Sequence, residues 1–197
     1  MNRPTIYTVG DSHGWHAWLK IPNVSTSYIR GPMTMHSFGQ LMNGPLNRSF
    51  LESIPLDGII CFSLGEIDCR CHVHRFQPWQ ATIDKLVEDY ISAIDNCIYD
   101  RNPKRIWIYF VVPPIREIAA ENPYFPFVGT LEERIAYVKY MNKKLKESKY
   151  TFIDLYDKYS NEDGSMIYAD SDANVHIENP EHIIEWINNE SLYTFTE

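Results

Sequence analysis

Thr5–Trp18 reads TIYTVGDSHGWHAW. The apolar run Ile6-Tyr7-Thr8-Val9 ends abruptly at Gly10-Asp11-Ser12-His13-Gly14. A buried strand that opens at its C-terminal end into a tight, polar, glycine-flanked turn is where α/β proteins place their chemistry. Ser12 is therefore a candidate nucleophile, and a serine in that role needs a base, an orienting acid and oxyanion donors. A helix starting near Trp15 would point its positive end at the site. The same four residues equally fit a plain capping role, with Asp11 or Ser12 closing the first turn of that helix.

Working outward, four more short apolar runs read as strands. They are Ser27–Arg30 before Gly31-Pro32, Gly58–Leu64 (GIICFSL), Arg105–Val112 (RIWIYFVV) and Tyr150–Leu155 (YTFIDL). Continuous Val/Ile/Phe runs without alternation are typical of parallel strands covered on both faces. Helical patterns separate them. Pro78–Tyr99 carries a 3.6-period apolar stripe. Thr130 and Glu133 make a capping box ahead of Leu131, Ile135, Val138, Met141 and Leu145. Asn179-Pro180-Glu181 reads as an N-cap with Pro at the first helical position, and the helix buries Ile183, Ile184 and Ile187. A shorter helix covers Met33–Met42. This alternation predicts one domain over residues 1–197, a three-layer α/β/α sandwich on a five-stranded parallel sheet. The Pro-rich stretch Pro113–Gly129 is long for an internal loop and reads as a lid or a substrate-facing wall.

Composition narrows the function classes. The chain has 197 residues, 44% hydrophobic and 14% aromatic, enough for a full core. A formal net charge of −8 argues against nucleic acid as a partner, because phosphate binding wants a basic face. No apolar stretch approaches the roughly 20 residues of a membrane span. The start Met1-Asn2-Arg3-Pro4 shows no signal-peptide pattern. Four cysteines, Cys61, Cys69, Cys71 and Cys97, are no disulfide framework. A cytoplasmic setting is expected, and no cofactor.

The polar clusters fall just past the strands. Gly31 follows the second, and a glycine there lets a backbone N–H approach a developing oxyanion. After the third comes Gly65-Glu66-Ile67-Asp68-Cys69-Arg70-Cys71-His72-Val73-His74-Arg75, the densest polar stretch in the chain. Arg70 and Arg75 would clamp an anionic substrate group, or pair with Glu66 or Asp68. Cys69, Cys71, His72 and His74 allow a metal reading, although C-x-C-H-x-H is not a usual zinc spacing; no metal is expected. Before the last helix, Asp170, Asp172 and His176 share one loop. An acid a few residues ahead of a histidine suits a general base held in one tautomer.

In combination, Gly10-Asp11-Ser12, Gly31, Gly65-Glu66-Ile67-Asp68 and Asp172…His176 resemble the SGNH (GDSL-type) hydrolase superfamily, in a divergent branch marked by G-E-I-D-C-R. The resemblance covers nearly the whole chain. It implies a flavodoxin-like fold with strand order 2-1-3-4-5. It also implies Ser12 as nucleophile, His176 as base, and Asp172 as orienting acid with Asp170 in reserve. The amides of Ser12 and Gly31 would form the oxyanion hole. Asp11, His13, Gly65, Glu66, Asp68, Arg70 and His72 are expected to contact substrate. The implied activity is that of an esterase, cleaving or transferring O-acyl (acetyl) groups on a small molecule or glycan. Two positions depart from the family pattern. Ile67 stands where a donor Asn is usual, and the acid–histidine spacing is D-x-x-x-H in place of D-x-x-H. They motivate an alternative, an SGNH-fold module that binds a glycan or anionic small molecule without turnover. The distance from Ser12 to His176 discriminates between the two.

Overall fold

A computed structural model describes residues 4–29, 31–42, 54–55, 58–98, 105–116 and 122–190. Its five strands are β1 (Ile6–Gly10), β2 (Val24–Ile29), β3 (Ile59–Ser63), β4 (Arg105–Tyr109) and β5 (Thr151–Ile153). All pair in parallel, in the order β2-β1-β3-β4-β5. The helices are α1 (Met35–Met42), α2 (Trp79–Ile98), α3 (Leu131–Lys146) and α4 (Glu181–Asn189).

Side-chain alternation along the strands assigns the layers. Phe62 on β3 stands opposite Ile108 on β4. Phe62 meets Phe38 of α1 and Tyr90 of α2 edge to face, and Trp79 of α2 packs on Tyr137 of α3. Cys61 and Trp107, one residue along, point to the opposite face. There Trp107 meets Trp186 of α4 at 5.1 Å, and Tyr109 meets Trp18 at 5.3 Å. Three helices therefore cover one face of the sheet. The other face is covered by α4 and the short 3₁₀ turn Ala17–Lys20. This is the three-layer arrangement expected from the alternating pattern, with the implied strand order.

Several boundaries differ. β2 begins at Val24, three residues ahead of the expected run; Arg30, like Tyr99 and residues 117–121, lies outside the described residues. Phe110, Val111 and Val112 are buried but continue past the end of β4, where the Asn142 side chain takes both backbone groups of Val111 in place of a neighbouring strand. The Thr130–Glu133 capping box forms as expected. At α4, the Asn179 Oδ1 accepts from the Glu181 amide at 3.1 Å, while Pro180 stands one residue ahead of the helix. No α-helix follows Ser12. Two 3₁₀ turns, Ser12–Gly14 and Ala17–Lys20, occupy that stretch, so the helix expected near Trp15 and its dipole are not there. No helix among the described residues is long and apolar enough to cross a membrane.

Candidate active site

The sheet brings its C-terminal strand ends to one edge. The chain runs from inner strand β1 out to edge strand β2 and returns to β3 on the other side of β1, which opens a crevice where the order reverses. Gly10 closes β1 against β3 at this point. With φ +156°, a Cβ here would lie 1.9 Å from the Ser63 carbonyl oxygen, so only glycine fits. The chain then turns, with Asp11 Oδ1 accepting from the His13 amide at 2.9 Å. Asp11 does cap the turn, and Ser12 is left half-buried on the crevice side.

His176 arrives from the loop before α4. Its Nε2 lies 2.9 Å from Ser12 Oγ, and its Nδ1 lies 2.7 Å from Asp172 Oδ2. Asp172 Oδ1 accepts from the amides of Asn174 and His176, at 2.9 and 3.2 Å. The extra residue in D-x-x-x-H is absorbed by Ala173, whose φ of +60° is left-handed. A bridge between Ser171 and Ile177 pins the ends of this loop. Asp170 is used otherwise: its Oδ1 accepts from Asn179 Nδ2 at 2.8 Å, at the foot of the loop.

Electrostatics follow from burial. Burial and neighbouring His13 push His176 down to about 4 against the pull of Asp172, so the imidazole is neutral at neutral pH and able to accept a proton. Burial would raise Asp172, but the hydrogen bond and charge of His176 outweigh it and hold this carboxyl below its ordinary value.

A cleft of about 520 Å³ opens at Ser12 and His176. Gly31 and Pro32 line it, with Ile67, Arg70, Trp15, Phe125, Asn122 and Asn174 among the other walls. Residues Asn122 and Phe125 make the Pro-rich stretch a wall of the cleft. Ile67 sits in the expected place and offers no donor.

Of the seven residues expected to contact substrate, Arg70 alone lines this cleft. Asp11 is fully buried, and burial raises its carboxyl to about 7. His13 and Glu66 are buried beneath the site, where Nε2 of His13 meets Glu66 Oε2 at 3.3 Å. Glu66 also takes Arg70 Nε at 2.6 Å and Nη2 at 3.0 Å. Burial opposes that carboxylate, yet His13 and Arg70 together hold it at about 2. Arg70 Nη1 donates to the Phe125 carbonyl, which ties the cleft wall to this ion pair. Gly65 packs against Met141, Val111 and Met35, with no room for a Cβ. Asp68 accepts from the Met35 and His36 amides at 2.7 and 3.2 Å, holding the start of α1. Asp68 and His72 line a separate cavity of about 830 Å³ between α1 and α2. Nor do the four residues of the metal reading converge: Cys69 Sγ faces Met141, and His74 Nδ1 faces Tyr137. The one group of possible ligands that comes together among the described residues is His16, Asp172 and His176. Its two rings lie parallel, so their in-plane lone pairs run side by side and do not meet at one point. His16, four residues past Ser12, reads from the sequence as a packing or substrate contact and not as the base; the structure stacks its ring on His176.

No family model matches the sequence, and neither does any curated protein. Solved structures do match in fold. A GDSL-like lipase from Bacteroides thetaiotaomicron superposes with a TM-score of 0.59 at 13% identity, over 96% of this chain and 88% of that one. Est24, a carbohydrate acetylesterase from Sinorhizobium meliloti, gives 0.51 at 16% identity, over 98% of this chain and 100% of that one. The aryl esterase of M. smegmatis gives 0.51 at 15%, over 96% and 100%. The chain has the three-layer α/β/α fold of the SGNH (GDSL-type) hydrolases.

Proposed function

We propose that this protein is a serine esterase of the SGNH type, acting on an O-acyl group, most simply acetyl, carried by a carbohydrate or glycan. The observation that carries the proposal is the unbroken hydrogen-bonded chain Ser12 Oγ–His176 Nε2 and His176 Nδ1–Asp172 Oδ2, at 2.9 and 2.7 Å. Distances in this range suit direct proton transfer, which favours turnover over a binding module with the same fold. Ser12 Oγ attacks the ester carbonyl as His176 Nε2 takes its proton. Asp172 keeps the imidazole proton on Nδ1 and stabilises the imidazolium that forms. The backbone amides of Ser12 and Gly31 hold the oxyanion. The alcohol departs with the proton from His176, and water or another hydroxyl then releases the acyl group by the reverse sequence. The half-exposed ring of Trp15 and the carboxamides of Asn122 and Asn174 suit a sugar face and its hydroxyls. The ester-cleaving proteins that share the fold, a carbohydrate acetylesterase among them, are consistent with this reading.

A fluorophosphonate probe tests the nucleophile. The wild type is expected to label and Ser12→Ala is not; equal labelling of both refutes the assignment. A panel of aryl acetates and acetylated sugars then reads the alcohol preference.

A further inference from the structure

A second imidazole lies on the first. The rings of His16 and His176 stack face to face, with centroids 3.7 Å apart and planes within 9°. Nδ1 of His16 lies 3.4 Å from Glu178 Oε2 and 3.8 Å from Asp172 Oδ2. Lys20 Nζ pairs with Glu178 Oε1 at 2.7 Å and donates to the Glu178 carbonyl at 2.9 Å. Two acid–imidazole pairs, Asp172–His176 and Glu178–His16, therefore lie side by side, with Lys20 fixing the outer acid.

The two hydrogen bonds of His176 run through its ring nitrogens, whose proton and lone pair lie in the ring plane. They hold the ring along the line between Ser12 and Asp172 but resist tilting about that line weakly, because hydrogen-bond angles are broad. The χ2 torsion of a histidine is also broad. During reaction Ser12 Oγ moves onto the substrate carbon, and Nε2 must turn its proton toward the leaving oxygen. The Asp172 bond is then the only one held throughout. A flat group against the ring face opposes tilt through the contact area it would lose. The chain is built to keep that group in place. Ser12 and His16 share one short segment, and the Ala17 amide donates to the Ile177 carbonyl at 3.2 Å, next to the base.

We propose that His16 is a positioning residue for His176: it fixes the plane of the base by stacking, and Glu178 with Lys20 fixes His16 in turn. The role rests on the esterase reading of Ser12 and His176.

Two variants separate the stack from the charge. His16→Ala removes both, whereas His16→Phe keeps a flat ring and has no proton. On an aryl acetate, His16→Ala is expected to lower kcat by about tenfold with KM nearly unchanged, the signature of lost alignment. His16→Phe is expected to recover most of that loss. A wild-type kcat in His16→Ala overturns the proposal, as does His16→Phe impaired as much as His16→Ala. The NMR signal of the His176 Cε1 proton reads the stack without turnover. Its ring-current shift should shrink in His16→Ala, leaving the part due to His13 at 4.9 Å, and persist in His16→Phe, and a signal unmoved in His16→Ala overturns the stack itself. If the wild type turns over no ester, the esterase reading fails, and with it the role of His16 in turnover, while this signal still reports whether the rings stack in solution.

Discussion

Asp172→Asn bears most directly on the site. In the wild type, Oδ1 accepts from two backbone amides, at 2.9 and 3.2 Å, and Oδ2 faces His176 Nδ1 at 2.7 Å. An asparagine must keep its oxygen on the two amides, because a backbone N–H can only donate. Its NH₂ group then faces Nδ1 and donates to it. The imidazole proton is driven to Nε2, the atom that must accept from Ser12, and the base is disabled with its position intact. A wrong-tautomer base costs about 10⁴ in kcat, equivalent to about 5 kcal/mol of transition-state stabilisation. Stability should fall by only about 1 kcal/mol, since every hydrogen bond of the side chain keeps a partner. Initial rates on an aryl acetate, with thermal unfolding of the same samples, separate the two effects. Turnover near the wild-type rate in a folded Asp172→Asn protein would refute the reasoning and remove Asp172 from the triad.

Three further outcomes are expected. Because His176 sits near pKa 4 and must be neutral to act, kcat/KM should hold through the weakly acidic range and fall as pH drops through about 4; an acid limb near the ordinary histidine value of 6.5 would contradict it. The same depression makes the unfolded chain bind more protons between about 4 and 6.5, so this group's contribution to stability rises with pH across that window and is lost on the way down. Glu66→Gln leaves Arg70 and His13 without their shared carboxylate, and breaking a buried ion pair costs about 3–5 kcal/mol. Denaturant unfolding should show that loss, and a change under about 1 kcal/mol would mean that the cluster is not ionised.

Most of the fold was legible because its signals are local. Parallel strands buried on both faces read as unbroken apolar runs, and GIICFSL and RIWIYFVV could be little else. The edge strand β2 was placed three residues late, since VSTSYI is mostly polar and carries no such run. The helix expected after Ser12 failed for a tertiary reason: residues 12–20 fold into 3₁₀ turns that lay Trp18 on Tyr109 and the Ala17 amide on the Ile177 loop.

The site divides in the same way. Sequence pattern alone determined that Ser12, Gly31, Ile67 and His176 come to one end of a parallel sheet, because strand ends and loop positions follow from the alternation of elements. Asp172 came from the family resemblance and not from the pattern, and a spacing one residue longer than the family's left Asp170 as a rival. Tertiary structure decided between them, through a left-handed Ala173 that no propensity announces. It also decided which polar residues after Leu64 face the cleft. A five-residue π-helical segment, Asp68–His72, puts Arg70 in the wall of the cleft that Ser12 lines while Asp68 goes to the start of α1. Whether a charged side chain meets substrate or another side chain depends on partners far away in the chain, such as His13 for Glu66 and Glu178 for His16, and that pairing exists only once the layers have closed.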